Sequence, residues 1–77
     1  MDPLIELFAQ GLEVDPSTLS EATSPDNTPS WDSLAAMSLV TLIEQRFSVQ
    51  LRTRDIMRMQ TIALARAVLR EKGVTEV

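Results

Sequence analysis

The sequence offers little to a catalyst. It holds no histidine and no cysteine, so the commonest general base, the commonest zinc ligand and every thiol nucleophile are missing together. Hydroxyls and carboxylates remain, and no set of metal ligands is expected. The hydroxyl that stands out is Ser33, in the stretch TPSWDSL (residues 28–34). A Pro/Ser/Thr-rich segment stops there and a long run of helical apolar spacing starts. Such a serine is either a helix cap or a point of covalent attachment. Asp32 can do the capping, which frees the Ser33 hydroxyl to project. A phosphodiester on it would then sit beside the unpaired N–H groups of the helix start, where an anion is favoured. The serine also ends a long loop, so an enzyme can reach it.

The 77 residues suffice for one small domain with a single core. The net charge of −4 is unevenly spread. Residues 1–45 carry eight acids and no Lys or Arg, whereas residues 46–77 carry three acids and all seven basic residues. Nucleic acid is repelled by the first part and is not expected as a partner. No apolar run approaches the roughly 18 residues of a membrane span, so no membrane partner is expected. The opening MDPLIELF lacks a basic region and reads as helix rather than as a secretion signal. A cytoplasmic protein is the expectation.

The elements that must position Ser33 follow from spacing. Asp2-Pro3 reads as a cap with proline at the first helical position. Leu4, Ile5, Phe8 and Leu12 then recur at helical intervals, which predicts a first helix over about 3–12 that Gly11 weakens or ends. Residues 13–32 read as a long loop, interrupted by Pro16, Pro25 and Pro29, with one helical turn around 16–20. Val14 and Leu19 are its only evident anchors. A loop of this length in a small domain is often functional. The second helix is expected over about 33–47, its core face formed by Ala36, Leu39, Val40, Ile43 and Phe47. A short third helix over about 53–58 follows a connector. A fourth over about 61–72 has Thr61 as cap, an Ile62, Ala65, Val68 and Leu69 stripe, and Gly73 as stop. The fold class is all-α, a small bundle of three main helices plus one short one.

Leu34, Met37 and Thr41 form a second stripe on the second helix, away from the core face. They are either covered by a flanking helix or left as a docking patch beside Ser33, and the patch is the expectation. Met57 and Met59 are expected to fill gaps in the core. Arg52, Arg54 and Arg58 read as a solvated face. A nucleic-acid surface is poorly supported, since the only aromatics are Phe8, Trp31 and Phe47.

DSL followed by AAMSLVTLIEQRF, a short connector, a short helix and TIALARAVL resembles the acyl carrier protein family. The first helix and long loop fit as well, so the resemblance spans essentially the whole chain. It implies that Ser33 receives phosphopantetheine from coenzyme A, and that the thiol of this cofactor carries an acyl or aminoacyl cargo as a thioester. It implies a monomeric carrier, not an enzyme, served by a phosphopantetheinyl transferase, a loading ligase and a downstream synthase or transferase. Asp32, Leu34, Met37, Thr41 and Glu44 are then the expected partner-binding residues. The sequence departs from the family where fatty-acid carriers place acids along the second helix. Here Ala35, Ser38, Gln45 and Arg46 stand, and the third helix is basic. With Trp31 in place of a small residue, this is similar to carriers of specialised metabolism, such as polyketide synthesis, more than of general fatty-acid synthesis. Trp31 has a plainer reading too, as the residue that packs the loop on the bundle. An aminoacyl or peptidyl carrier, an unmodified interaction module of the same fold, and a small enzyme using two carboxylates are the alternatives.

Overall fold

In the computed structural model, which describes residues 2–77, Asp2 opens helix α1 (Pro3–Leu12). Its carboxylate accepts the N–H of Leu4 at 3.0 Å and of Ile5 at 3.3 Å. Pro3 fills the first helical position, where its missing donor costs nothing. The helix carries through Gly11 rather than yielding to it, and Glu13 ends it in the left-handed conformation, φ 57°. Gly11 is needed for space instead. A Cβ there would lie 2.6 Å from Leu39 Cδ2, so this is where α1 comes closest to the next helix.

That helix, α2, spans Ser33–Phe47 and ends at Ser48, again left-handed at φ 54°. Leu39, Ile43 and Phe47 are its buried residues, with Ala36 and Val40 half-buried at the edge of the core. Helix α3 is Thr53–Arg58 and α4 is Ile62–Glu71. Thr61 and Lys72 flank α4 as its caps, Thr61 through its hydroxyl, which accepts the N–H of Leu64 at 3.1 Å. Gly73, at φ 93°, stops the helix. Its N–H reaches the Arg70 carbonyl and that of Val74 the Leu69 carbonyl, while Val74 tucks into the core. No strand occurs among the described residues, and the protein is an all-α bundle. Leu4, Leu7, Phe8 and Leu12 of α1 meet Leu39, Ile43 and Phe47 of α2 and Ile62, Ala65, Val68 and Leu69 of α4.

Val14 and Leu19 pack against the core and anchor the long loop as expected, and hydrogen bonds hold the stretch between them and Trp31. A single 3-10 turn, Pro16–Thr18, is capped by Asp15. Further on, the loop backbone covers the start of α4: the N–H of Ile62 donates to the Thr23 carbonyl and that of Ala63 to the Glu21 carbonyl, both at 3.1 Å. Two donors that a helix leaves unpaired are thereby satisfied. Thr23 and Ser24 are buried, which apolar patterning gives no hint of, and Thr23 Oγ1 accepts the N–H of Ser20.

Arg66, in the middle of α4, locks this arrangement. Its guanidinium reaches Asp2 at 2.7 Å and Glu21 at 2.8 Å, with only 12% of the side chain exposed. One cation therefore ties the start of α1, the loop and α4 together, and its proton is held more tightly than usual, first by Glu21 and then by Asp2. Burial pushes the Asp2 carboxyl up, but the hydrogen bonds from Arg66 and the helix N–H groups outweigh it and leave it below its ordinary value. Asp55 of α3, buried, is lowered by Lys72 at 2.9 Å and by the N–H of Arg52 at 3.0 Å.

Two outcomes follow. Phe47 closes the buried stripe of α2, so Phe47→Ala should cost about 3–5 kcal/mol, a large share of what a domain this small has; urea unfolding followed by circular dichroism measures it. Asp2 and Asp55 titrate below their unfolded values, so their contribution is complete above the unfolded carboxylate pKa and is lost as pH falls through the folded one. Melting temperature should be level from neutrality to about pH 5 and fall below about pH 4. Asp55→Asn should lower it at pH 7 and flatten part of the acid decline.

Candidate functional site

The start of α2 is built from three consecutive residues. Trp31 is buried and meets the Phe8 ring edge-on, centroids 5.2 Å apart at 64°. This pins the end of the loop to α1. Asp32 follows in extended conformation, φ −102° and ψ −171°, and its carboxylate accepts the N–H of Ala35 at 2.9 Å. Its carbonyl accepts the N–H of Ala36 at 2.9 Å. Asp32 is thus the cap, and Ser33 is the first residue within the helix.

Ser33 is exposed, and its hydroxyl takes part in no hydrogen bond among the described residues. The backbone N–H groups of Ser33 and Leu34 are unpaired as well, since Asp32 serves only Ala35 and Ala36. An exposed hydroxyl with two open donors beside it suits an esterified phosphate: oxygen to bond it, and N–H dipoles to receive its charge.

The stripe next to it stays uncovered. Leu34 is 77% and Met37 70% exposed, so no flanking helix packs over them. Thr41 is exposed too, its hydroxyl donating to the Met37 carbonyl at 3.2 Å. Glu44 differs. It is half-buried, and its carboxylate accepts the N–H of Leu51 at 2.8 Å, tying the connector to α2. On the other flank of α2, Ala36 and Val40 face Ile56 and Met59 of the α3 region across a crevice of about 40 Å³, floored by Phe8, Trp31 and Leu39.

Met59 is buried, but Met57 is 68% exposed, which corrects the expectation that both methionines fill the core. Ile56 is partly exposed beside it. A six-residue helix is too short for its buried face to be read from periodicity, which is why these two positions escaped the sequence. The carboxylates give no acid–base pair at Ser33. Asp2 and Glu21 do converge, but on Arg66, which occupies both.

A family model described as the phosphopantetheine attachment site matches residues 2–68. The chain belongs to this carrier-domain family. No curated protein gives a significant match. Members of the family carry phosphopantetheine covalently attached, and carrier domains are generally not catalytic. The lack of His and Cys accords with such a role, because the reactive thiol comes with the cofactor.

Asp32→Ala should destabilise this carrier domain by about 1 kcal/mol, the usual cost of a lost cap, whereas Ser33→Ala should leave its stability unchanged within about 0.5 kcal/mol. Paired thermal melts check both. A Ser33→Ala variant as unstable as Asp32→Ala would mean that the serine is the true cap.

Proposed function

We propose that the protein is an acyl carrier protein that bears phosphopantetheine on Ser33 and passes a cargo between partner enzymes in the cytoplasm. The observation that supports this reading best is the Ser33 hydroxyl itself: exposed, free of hydrogen bonds, and released from capping by Asp32. When bound, the group supplies a terminal thiol on a long arm, to which an acyl group is held as a thioester. Ser33 Oγ would hold its phosphate in ester linkage, the hydroxyl losing its proton as the pyrophosphate bond of coenzyme A breaks and 3′,5′-ADP leaves. The open N–H groups of Ser33 and Leu34 stabilise the negative charge. Trp31 and Asp32 hold the serine at one fixed place, so that the arm always leaves from the same point of the surface.

Recognition is assigned to Leu34, Met37 and Thr41, with Asp32 beside them and Glu44 at the far end of the helix. Burying Leu34 or Met37 against a partner is worth about 1–3 kcal/mol each. The partners are a phosphopantetheinyl transferase, a ligase that loads the cargo and a downstream synthase or transferase. A helix α2 whose one acid is Glu44, with Asp32 as its cap, is a poor match to the basic enzymes of general fatty-acid synthesis, and a dedicated pathway of specialised metabolism fits better.

Incubation with coenzyme A and a broad-specificity phosphopantetheinyl transferase, followed by intact mass and peptide mapping, tests the assignment. One group should be gained, on Ser33, and Ser33→Ala should gain none. Modification at Ser30 or Ser38, or of the alanine variant, would sink it. In the same assay Met37→Glu should slow modification roughly tenfold while leaving the melting temperature close to that of the parent. An unchanged rate would move the docking surface elsewhere.

A further inference from the structure

Apolar space lies close to the serine. Trp31 stands two residues before Ser33 and Ala36 one helical turn after it, and both line the crevice between α2 and the α3 region. A cargo carried on Ser33 has this crevice within reach of its arm. What the crevice can hold is a matter of size. Its volume is about 40 Å³, whereas a dry apolar cavity that takes a guest as large as benzene measures about 150 Å³. There is room for about one methylene group, judged by the roughly 30 Å³ that a water molecule occupies in the liquid.

Trp31 is the reason for the small volume. Its indole is buried against Phe8, and it fills space beside the serine that a smaller side chain would leave open. The opposite wall is tied down. Asp55, itself buried, pairs with Lys72 at 2.9 Å and Arg58 with Glu71 at 2.6 Å, while Met59 packs into the core. The hollows along α1 and α2 are larger, about 350 to 530 Å³, but offer no substitute. They are open grooves with Glu6, Gln10, Glu13 and Gln45 among their walls. An apolar chain laid there would stay in contact with water and polar groups.

We propose that Trp31 keeps the cargo out of the core and thereby sets its class: short or polar acyl groups, held in solvent at the end of the arm. The inference rests on the carrier reading and deepens it. A long apolar chain gains nothing from a carrier that cannot cover its methylenes, since each of them stays in water. A cargo of a few carbons, or one bearing hydroxyl, amino or carboxylate groups, has no such need. Its thioester stands clear of the protein, and a partner enzyme takes it without first drawing a chain out of the bundle.

The test loads the full chain directly. A broad-specificity transferase attaches acetyl-, hexanoyl- and decanoyl-phosphopantetheine from the matching coenzyme A thioesters, and intact mass confirms each product. The three loaded forms should melt within about 1 °C of one another, because a chain bound by the folded state would raise the melting temperature with its length. Trp31, the one tryptophan, should keep the same emission maximum through the series. Hydroxylamine should cleave each thioester as fast as it cleaves the matching coenzyme A thioester. Trp31→Ala opens the crevice and should make the series depend on length, with the decanoyl form melting several degrees above the acetyl form. If that variant does not fold, Trp31→Leu opens a smaller space and should show the same trend; if neither folds, the parent series decides alone. In the parent, a melting temperature or a thioester protection that rises with chain length would overturn the inference and leave the carrier reading standing. Folded variants without length dependence would overturn it too, since Trp31 would not be what excludes the cargo. A chain that takes up none of the three groups overturns both readings.

Discussion

The contact between Trp31 and Phe8 constrains everything around the serine. Phe8 is fully buried at the centre of α1, and Trp31 closes on its ring from the end of the loop. The next residue is the cap of α2 and the one after it is Ser33. An aromatic edge against an aromatic face has a preferred geometry, so it fixes orientation as well as position. With Trp31 fixed, the Asp32 carboxylate meets the first turn of α2, and Ser33 is left exposed beside it. The loop before Trp31 is long, and without this anchor its final residues would have no reason to deliver the serine to one place.

Beyond its Val14 and Leu19 anchors, the remainder of the loop is held by polar contacts, an arrangement suited to a domain with little core to spare. Arg66 joins Asp2 to Glu21 with only 12% of its side chain exposed. Its charge is costly to bury, yet two carboxylates and their hydrogen bonds compensate it, unlike the more exposed Arg46–Glu76 pair, where water screens the attraction. The loop carbonyls of Glu21 and Thr23 complete the start of α4 at the same spot. Polar satisfaction and burial reinforce one another here. Removing Arg66 would leave two carboxylates facing each other across the seam of loop, α1 and α4.

Much of the fold was legible because the helices announce themselves twice, by stripe and by cap. Asp2-Pro3, Asp32 and Thr61 each stand before an apolar run of helical spacing, and each accepts the N–H bonds that a cap should. Long-range polar partners were not legible. Nothing in the sequence couples Arg66 to a residue 64 positions away, and a rule based on helix dipoles assigns it a milder role. Gly11 reads as a weak point by propensity, while its actual function, close approach to Leu39, depends on a neighbour 28 residues along that no local pattern identifies. The site divides in the same way. Ser33 and the Leu34–Met37 stripe are local features and could be read, whereas the exposure of Met57 depends on which side of α3 faces α4.

Single exposed apolar side chains are ordinary on a protein surface, whereas neighbouring ones that form a stripe are informative. Here Leu34, Met37 and Met57 are all more than half exposed, yet the core closes without them: Leu39, Ile43 and Phe47 supply the α2 face, and Met59 supplies that of the α3 region. In the reading proposed above, stability and recognition use different residues of α2. This separation has a physical consequence for a carrier. If partners dock there as proposed, they can bind and leave the exposed stripe without disturbing the packing around Trp31 and Ser33, because Leu34 and Met37 take no part in the core. Among the charged residues, Asp55 and Arg66 turn inward to hold elements together, while Arg52 and Arg54 are exposed and form no ion pair among the described residues.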